Sequence, residues 1–158
     1  MDETPALRRA VADDAAAVRV LTREAYAKWV PVIGREPKPM QADHEEAVRE
    51  HRIDLAFLEG GLAALIETID KGDHLVIENV AVAPAFQGRG LGRHLLTHAE
   101  KLALDLGYAD VRLYTNRMFD ANVRLYLAFG YRIDREETSA LGVTVHMSKP
   151  LRGAVPVA

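Results

Sequence analysis

The chain has 158 residues, 49% of them apolar and 27% charged, which is enough for one compact domain with a substantial core. Its net charge of −3, with arginines scattered rather than striped, argues against a nucleic-acid binder, and the absence of cysteine excludes a disulfide framework, a thiolate metal site and a cysteine nucleophile. No run of about 18 apolar residues occurs and Met1-Asp2-Glu3-Thr4 is acidic and polar, so neither a membrane span nor a secretory leader is predicted, and the chain reads as cytoplasmic.

In chain order, Leu7 to Val11 reads as a short first strand. Asp13 and Asp14 are placed to cap a helix whose apolar positions Val18, Leu21 and Ala25 recur at helical spacing. The stretch from Trp29 to Met40 contains Pro31, Gly34, Pro37 and Pro39, a composition that predicts an irregular loop without regular helix. Gln41 to Glu50 reads as a second short helix, with Asp43 near its start. Strands are then predicted over Ile53 to Leu58, Leu62 to Ile69 and His74 to Val82, joined by the turns Glu59-Gly60-Gly61 and Lys71-Gly72-Asp73 as a meander. Leu91, Leu95, Ala99, Leu102 and Leu106 make one apolar stripe of a long helix stopped by Gly107. Val111 to Thr115 follows as a strand parallel to the one before the helix. Asp120 is placed to cap a short helix carrying Asn122, Leu125, Tyr126 and Phe129, and Tyr131 to Arg135 with Val143 to Met147 reads as a closing hairpin. A loose tail is expected over about 151–158.

The stretch from Glu78 to Gly92 stands out: a strand stops at Pro84, glycines follow at 88, 90 and 92, and a helix begins at once. Alternating glycines permit positive φ and close approach to the backbone, and the first N–H groups of a helix lack intrahelical acceptors. Such a turn suits a phosphate or pyrophosphate, although a plain strand-to-helix loop has the same composition.

Two motifs, Gln87-Gly88-Arg89-Gly90-Leu91-Gly92 and Asn122-Val123-Arg124-Leu125-Tyr126 continuing to Gly130-Tyr131, resemble those of the GCN5-related N-acetyltransferase (GNAT) superfamily. The resemblance spans nearly the whole chain and implies a single domain over 1–158 with the GNAT fold. That is an α/β (α+β) fold with a mixed, mostly antiparallel sheet of about six to seven strands, about four flanking helices and a splayed parallel strand pair.

What the resemblance implies about chemistry is specific. Acetyl-CoA is the co-substrate, with no metal, and its pyrophosphate rests on the amides of Gln87, Gly88, Arg89, Gly90, Leu91 and Gly92, with Arg89 and Arg93 adding charge. Val80, Ala81 and Val82 line the pantetheine arm, the Val80 amide faces the developing oxyanion, and Asn122 and Tyr126, one helical turn apart, present toward the same arm. Tyr126 matches the usual general acid and Glu78 the usual base for an amine that attacks the thioester directly in a ternary complex. Read from the residues alone, a core aromatic is the bland alternative for Tyr126, and a strand residue on a solvated or cleft-facing edge is the alternative for Glu78. The acceptor stays open among small amines, amino acids and peptides, and a homodimer through the final hairpin or strand edges is compatible with the pattern.

Other candidates carry less. His94 and His98 have the spacing of a zinc pair but no Glu follows His94, so solvated histidines are expected. Tyr26, Trp29, Val32, Ile33 and Met40 belong to the segment that walls the acceptor site in the family. Glu24, Glu36, Asp43 and Glu46 read as a solvated charged face. A non-catalytic acyl-CoA sensor of the same fold is the alternative. A dinucleotide-binding domain is disfavoured because the glycines are spaced Gly-x-Gly-x-Gly and Asp110 precedes its strand.

Overall fold

The computed structural model describes residues 4–151. Seven strands, β1 (Ala6–Arg9), β2 (Arg52–Leu58), β3 (Gly61–Asp70), β4 (Leu75–Val82), β5 (Asp110–Asn116), β6 (Arg132–Ser139) and β7 (Gly142–Pro150), form one sheet in the order β1-β2-β3-β4-β5-β7-β6. The helices are α1 (Ala15–Tyr26), α2 (Val30–Ile33), α3 (Lys38–Gln41), α4 (His44–Glu50), α5 (Leu91–Asp105) and α6 (Asp120–Ala128). The β4–β5 pair is parallel, whereas β1–β2, β2–β3, β5–β7 and β6–β7 are antiparallel. This is a mixed, mostly antiparallel sheet with one parallel pair, as expected. The chain divides into two compact units, Met1–Ile69 with Asn79–Leu96, and Asp70–Glu78 with Thr97–Ala158.

In the first unit, α1 turns Val18, Leu21 and Ala25 onto a core that includes Ala47 of α4, Ile53 and Leu55 of β2, Leu65 of β3 and Ala81 of β4. Complete burial of a side chain such as Val18 or Leu55 contributes roughly 1.5–3 kcal/mol, so the three- and four-residue spacing read in the sequence is what fixes α1 here. The β2–β3 hairpin closes through Glu59 and Gly60, both at positive φ (55° and 79°), the pattern of a turn whose twist matches its strands. Asp14 does not cap α1 with its side chain. It reaches back to the Val11 amide at 2.7 Å and is held by Arg8, which together lower its pKa to about 2. Asp43 does cap α4, accepting from the Glu46 amide at 3.0 Å.

The segment from Trp29 to Met40 departs from the sequence expectation. It contains two single-turn helices, each with proline in its first turn, where the missing N–H has no intrahelical acceptor to lose. Arg23 fastens this segment, donating to the Met40 carbonyl at 2.8 Å and to Glu36 at 2.6 Å. Glu36 therefore has a structural partner, and Met40 is buried.

In the second unit, Leu75 and Ile77 of β4, Val111 and Leu113 of β5 and Val145 and Met147 of β7 alternate into the core. Helix α5 ends as expected at Gly107 (φ 81°), where the Tyr108 amide bonds back to the Ala103 carbonyl. For α6 the expectation fails in detail: the N-cap is Phe119, and Asp120 lies in the first turn, where its charge suits the helix dipole without a capping bond. Strand β6 is an edge, exposed throughout and carrying Arg132, Asp134, Arg135, Glu136 and Glu137, a composition that discourages addition of another strand. Leu151 is buried and bonded to the Ala109 carbonyl, and the rest of the expected tail lies outside the described residues.

Candidate functional site

In the first unit lie the end of β4 and the glycine turn. Ala81 is buried and packs in the core, while Val80 and Val82 on either side of it are half-buried. The backbone oxygens of both valines are engaged: Tyr26 Oη donates to the Val80 carbonyl at 3.4 Å, and Gln87 Nε2 to the Val82 carbonyl at 3.1 Å. Beyond Val82, the Ala83 amide still bonds to the Ala63 carbonyl, and Pro84–Phe86 makes a 3-10 turn that reverses the chain. Gly88 and Gly90 then sit at φ 79° and 81°, and α5 starts at Leu91 with its first bond from the His94 amide to the Gly90 carbonyl.

A side chain at Gly88 would meet nothing within 4 Å. Glycine is needed there for its backbone angle and not for lack of room, and the open space beside the turn is where an anion would rest. The 15-residue α5 directs its first amides and the positive end of its dipole toward the turn. The side chains around it are braces: Gln87 Oε1 accepts from Lys28 Nζ at 3.3 Å, and Arg89 pairs with Glu59 at 2.9 Å while its guanidinium lies 5.2 Å from the Phe86 ring centre. Arg93 is exposed on the first turn of α5, and Gly92 is helical. The residues present thus fit a pyrophosphate held by backbone amides.

Sequence reasoning passed over Asn79, between Glu78 and Val80. It is buried, donates to Thr22 Oγ1 at 3.3 Å, and leaves its own Oδ1 buried without a partner. Its signal in the sequence was a polar residue at an inward position of an apolar strand.

In the second unit lie Glu78, Asn122 and Tyr126. Glu78 is the residue after the last parallel pair, Ile77↔Leu113. Its Oε1 accepts from Tyr114 Oη at 2.7 Å. Strand register extends this into a row across the sheet face, since Tyr114 pairs with His146 and His146 with Arg135. The Tyr114 and His146 rings are 6.1 Å apart, and His146 Nε2 lies 2.9 Å from Glu137. One row further back, Val76, Arg112, Ser148 and Arg132 align in the same way. Both rows line a cavity of about 520 Å³. Neither row was singled out in the sequence, yet the alternation of polar with apolar residues in β5 and β7 carries it once the register is known.

On α6, Asn122 is half-buried and Tyr126 buried, four residues apart. Burial pushes the Tyr126 phenol up to about 12, and its ring meets that of Tyr131 edge-on at 5.9 Å. Tyr131 is raised further by burial and by Glu100, and its hydroxyl has no hydrogen-bond partner among the described residues. His94 and His98, expected to be solvated, are both half-buried, and His94 Nε2 is buried without a partner. Among the described residues no group of three or more His, Cys, Asp or Glu side chains is arranged to hold a metal, and no helix is long and apolar enough to cross a membrane.

An α/β fold with a parallel strand pair and a glycine turn opening onto its longest helix sets a broad class, proteins able to seat a phosphate-bearing ligand at a helix start, and the comparisons narrow it. A model of the acetyltransferase (GNAT) family matches residues 17–131, and the chain belongs to that family. No curated protein matches its sequence. Among solved structures it is similar to a GCN5-related N-acetyltransferase from Rhodopseudomonas palustris, with 21% identity over 96% of this chain and 98% of the other and a TM-score of 0.77. It is also similar to the PaiA N-acetyltransferase of Thermoplasma acidophilum in complex with coenzyme A (18% identity, 94% and 99% covered, TM-score 0.75). Salmonella typhimurium YncA with its cofactor acetyl-CoA matches at 18% identity, with 99% of each chain covered and a TM-score of 0.71. At these identities the likeness is one of fold.

Proposed function

We propose that this chain, acting as one acetyltransferase domain in the cytoplasm, transfers an acetyl group from acetyl-CoA to a primary amine by direct attack in a ternary complex. The observation that carries the reading is the turn from Gln87 to Gly92, with two left-handed glycines and open space beside Gly88, in a chain of this family. Coenzyme A and acetyl-CoA in the structures of similar fold support the same cofactor here.

The co-substrate supplies an acetyl thioester: a C–N bond to the amine forms, the C–S bond breaks, the amine loses one proton and sulfur gains one. In this reading the amides from Gln87 to Gly92 bind the pyrophosphate, with charge from Arg93 and, once it leaves Glu59, from Arg89. Backbone amides along Val80, Ala81 and Val82 take the pantetheine arm, since the valine carbonyls already have donors, and the Val80 N–H faces the carbonyl oxygen as it gains charge. Asn122 orients the arm near the sulfur.

Tyr126 is the donor to the departing sulfur. A phenol at about 12 keeps its proton at neutral pH. An ordinary thiol titrates near about 8.5. Tyr126 therefore acts mainly as a hydrogen-bond donor to the developing thiolate. Glu78 takes the amine proton: with Tyr114 on Oε1, its Oε2 remains for that transfer. With no cysteine in the chain, a thioester-linked acyl-enzyme is excluded.

The test is amine-dependent release of free thiol from acetyl-CoA, with the acetylated amine identified by mass. Release with a primary amine, sharply reduced in Tyr126→Phe, supports the reading. Binding of acetyl-CoA with no release for any amine, and no effect of Tyr126→Phe, favours the acyl-CoA sensor.

A further inference from the structure

We propose that the cavity on the β4–β5–β7–β6 face is an acceptor groove selective for a zwitterion, a primary amine at the Glu78 end joined by a short chain to a carboxylate held between Arg112 and Arg132. The proposal rests on the acetyltransferase reading for the role of Glu78, and adds the class of acceptor.

The row behind Glu78 makes the argument. Arg112 on β5 and Arg132 on β6 both pair with Ser148 on β7, which lies between them with the smallest side chain of the row and leaves space above it. Their present partners, Asp110 at 3.2 Å and Asp134 at 3.1 Å, are on the same strands two residues away, with the arginine side chains 48% and 71% exposed. Exposed pairs of this kind are weakly held, so each guanidinium can be shared with an incoming carboxylate, which it accepts in bidentate fashion. Lys71, at the rim, has no ion-pair partner among the described residues. Once Glu78 is assigned to the amine, cations outnumber carboxylates on the remaining wall. A second ammonium, as in a diamine, would face those cations.

Geometry sets the length. The Ser148 position between the two arginines is two strands across from Glu78 and one same-face position back, so about 9.6 Å in one direction and about 6.7 Å in the other, or about 12 Å between backbone positions, of which the reach of the Glu78 and arginine side chains over the groove takes about 4 Å. An α-amino acid attacking through its α-amine has its carboxylate too close to span this. A terminal amine with four to five intervening carbons reaches it, as does the side-chain amine of a free basic amino acid.

Three acceptors of one length separate the possibilities: 6-aminohexanoate, hexylamine and 1,6-diaminohexane, each assayed by thiol release from acetyl-CoA. The expected kcat/KM for 6-aminohexanoate exceeds that for hexylamine by about tenfold, with the diamine lowest, and Arg112→Gln and Arg132→Gln each raise KM for 6-aminohexanoate more than for hexylamine. Equal rates for the three, or equal effects of the arginine changes on all, overturn the groove while leaving the acetyltransferase reading intact. Calorimetry with 6-acetamidohexanoate keeps the two separable. If no amine supports turnover, binding of this compound that Arg112→Gln weakens still supports the groove, and absence of binding to the wild-type protein overturns it. Thermal unfolding of both variants, each altered at an exposed side chain, checks that they fold.

Discussion

The glycine turn after β4 and the polar face of the β4–β5–β7–β6 strands are built from different atoms. At the turn, the groups aimed at a ligand are backbone amides, and the side chains of Gln87 and Arg89 are occupied with Val82, Lys28, Glu59 and Phe86. On the sheet face the backbone is consumed by the ladder, and Glu78, Tyr114, Arg112 and Arg132 offer side chains instead. A site made of backbone tolerates exchange of many side chains provided the chain path is kept. A site made of side chains changes its substrate with single substitutions.

That contrast can be broken at several points. The largest effect is expected at the groups assigned to the departing sulfur and to the amine proton. Tyr126→Phe and Glu78→Gln should each lower kcat by about 10²-fold or more. Affinity for acetyl-CoA by calorimetry should stay within a few-fold, since neither side chain is assigned to the phosphates. Loss of affinity without loss of kcat would reverse the assignment.

Next comes Gly90→Ala. Its left-handed φ costs an L-residue roughly 1–2 kcal/mol, and the local path must shift to relieve it. Weaker acetyl-CoA binding by about tenfold, with kcat at saturation little changed, is the expected outcome. A purely catalytic defect would contradict a backbone cradle.

Gln87→Ala should act more mildly. It removes the donor to the Val82 carbonyl, a loss worth about 1 kcal/mol, and loosens the turn without touching the amides. A several-fold rise in KM for acetyl-CoA, measured at saturating amine, is expected.

The smallest effect serves as a control on the unit that holds the turn. Asp14 has its pKa lowered from 3.8 to about 2, chiefly by the Arg8 hydrogen bond and then by the Val11 amide. A depressed folded pKa means that this contribution is complete above the unfolded value and is lost as pH falls from about 4 toward about 2. As an exposed pair it is worth under about 1 kcal/mol. Urea unfolding of Asp14→Asn against the parent protein should show a difference at pH 7 that vanishes at the acid end. A difference that persists there would place the effect outside the ion pair.

The glycine turn was legible in the sequence because glycines and helix periodicity are local signals. Gly88 and Gly90 adopt the positive φ that their spacing implied, and the α5 stripe through Leu91, Leu95 and Ala99 is buried as read. The sheet face was not legible, because Tyr114, His146 and Arg112 have ordinary strand identities until the register of β5, β6 and β7 aligns them. Between these extremes lies the segment from Trp29 to Met40, where proline counted against helix although two single turns carry proline as their second residue. Asp120 misled in a smaller way, its residue type fitting a cap that the chain path gives to Phe119.

The central claim is met most directly by one assay. Acetyl-CoA is incubated with the protein and a panel of primary amines, free thiol is followed with time, and the acetylated amine is weighed at the end. The account predicts amine-dependent thiol release, one thiol for each acetyl group found on the amine. Acetyl-CoA bound by the protein but released as thiol with no amine in the panel, or not bound at all, would contradict it.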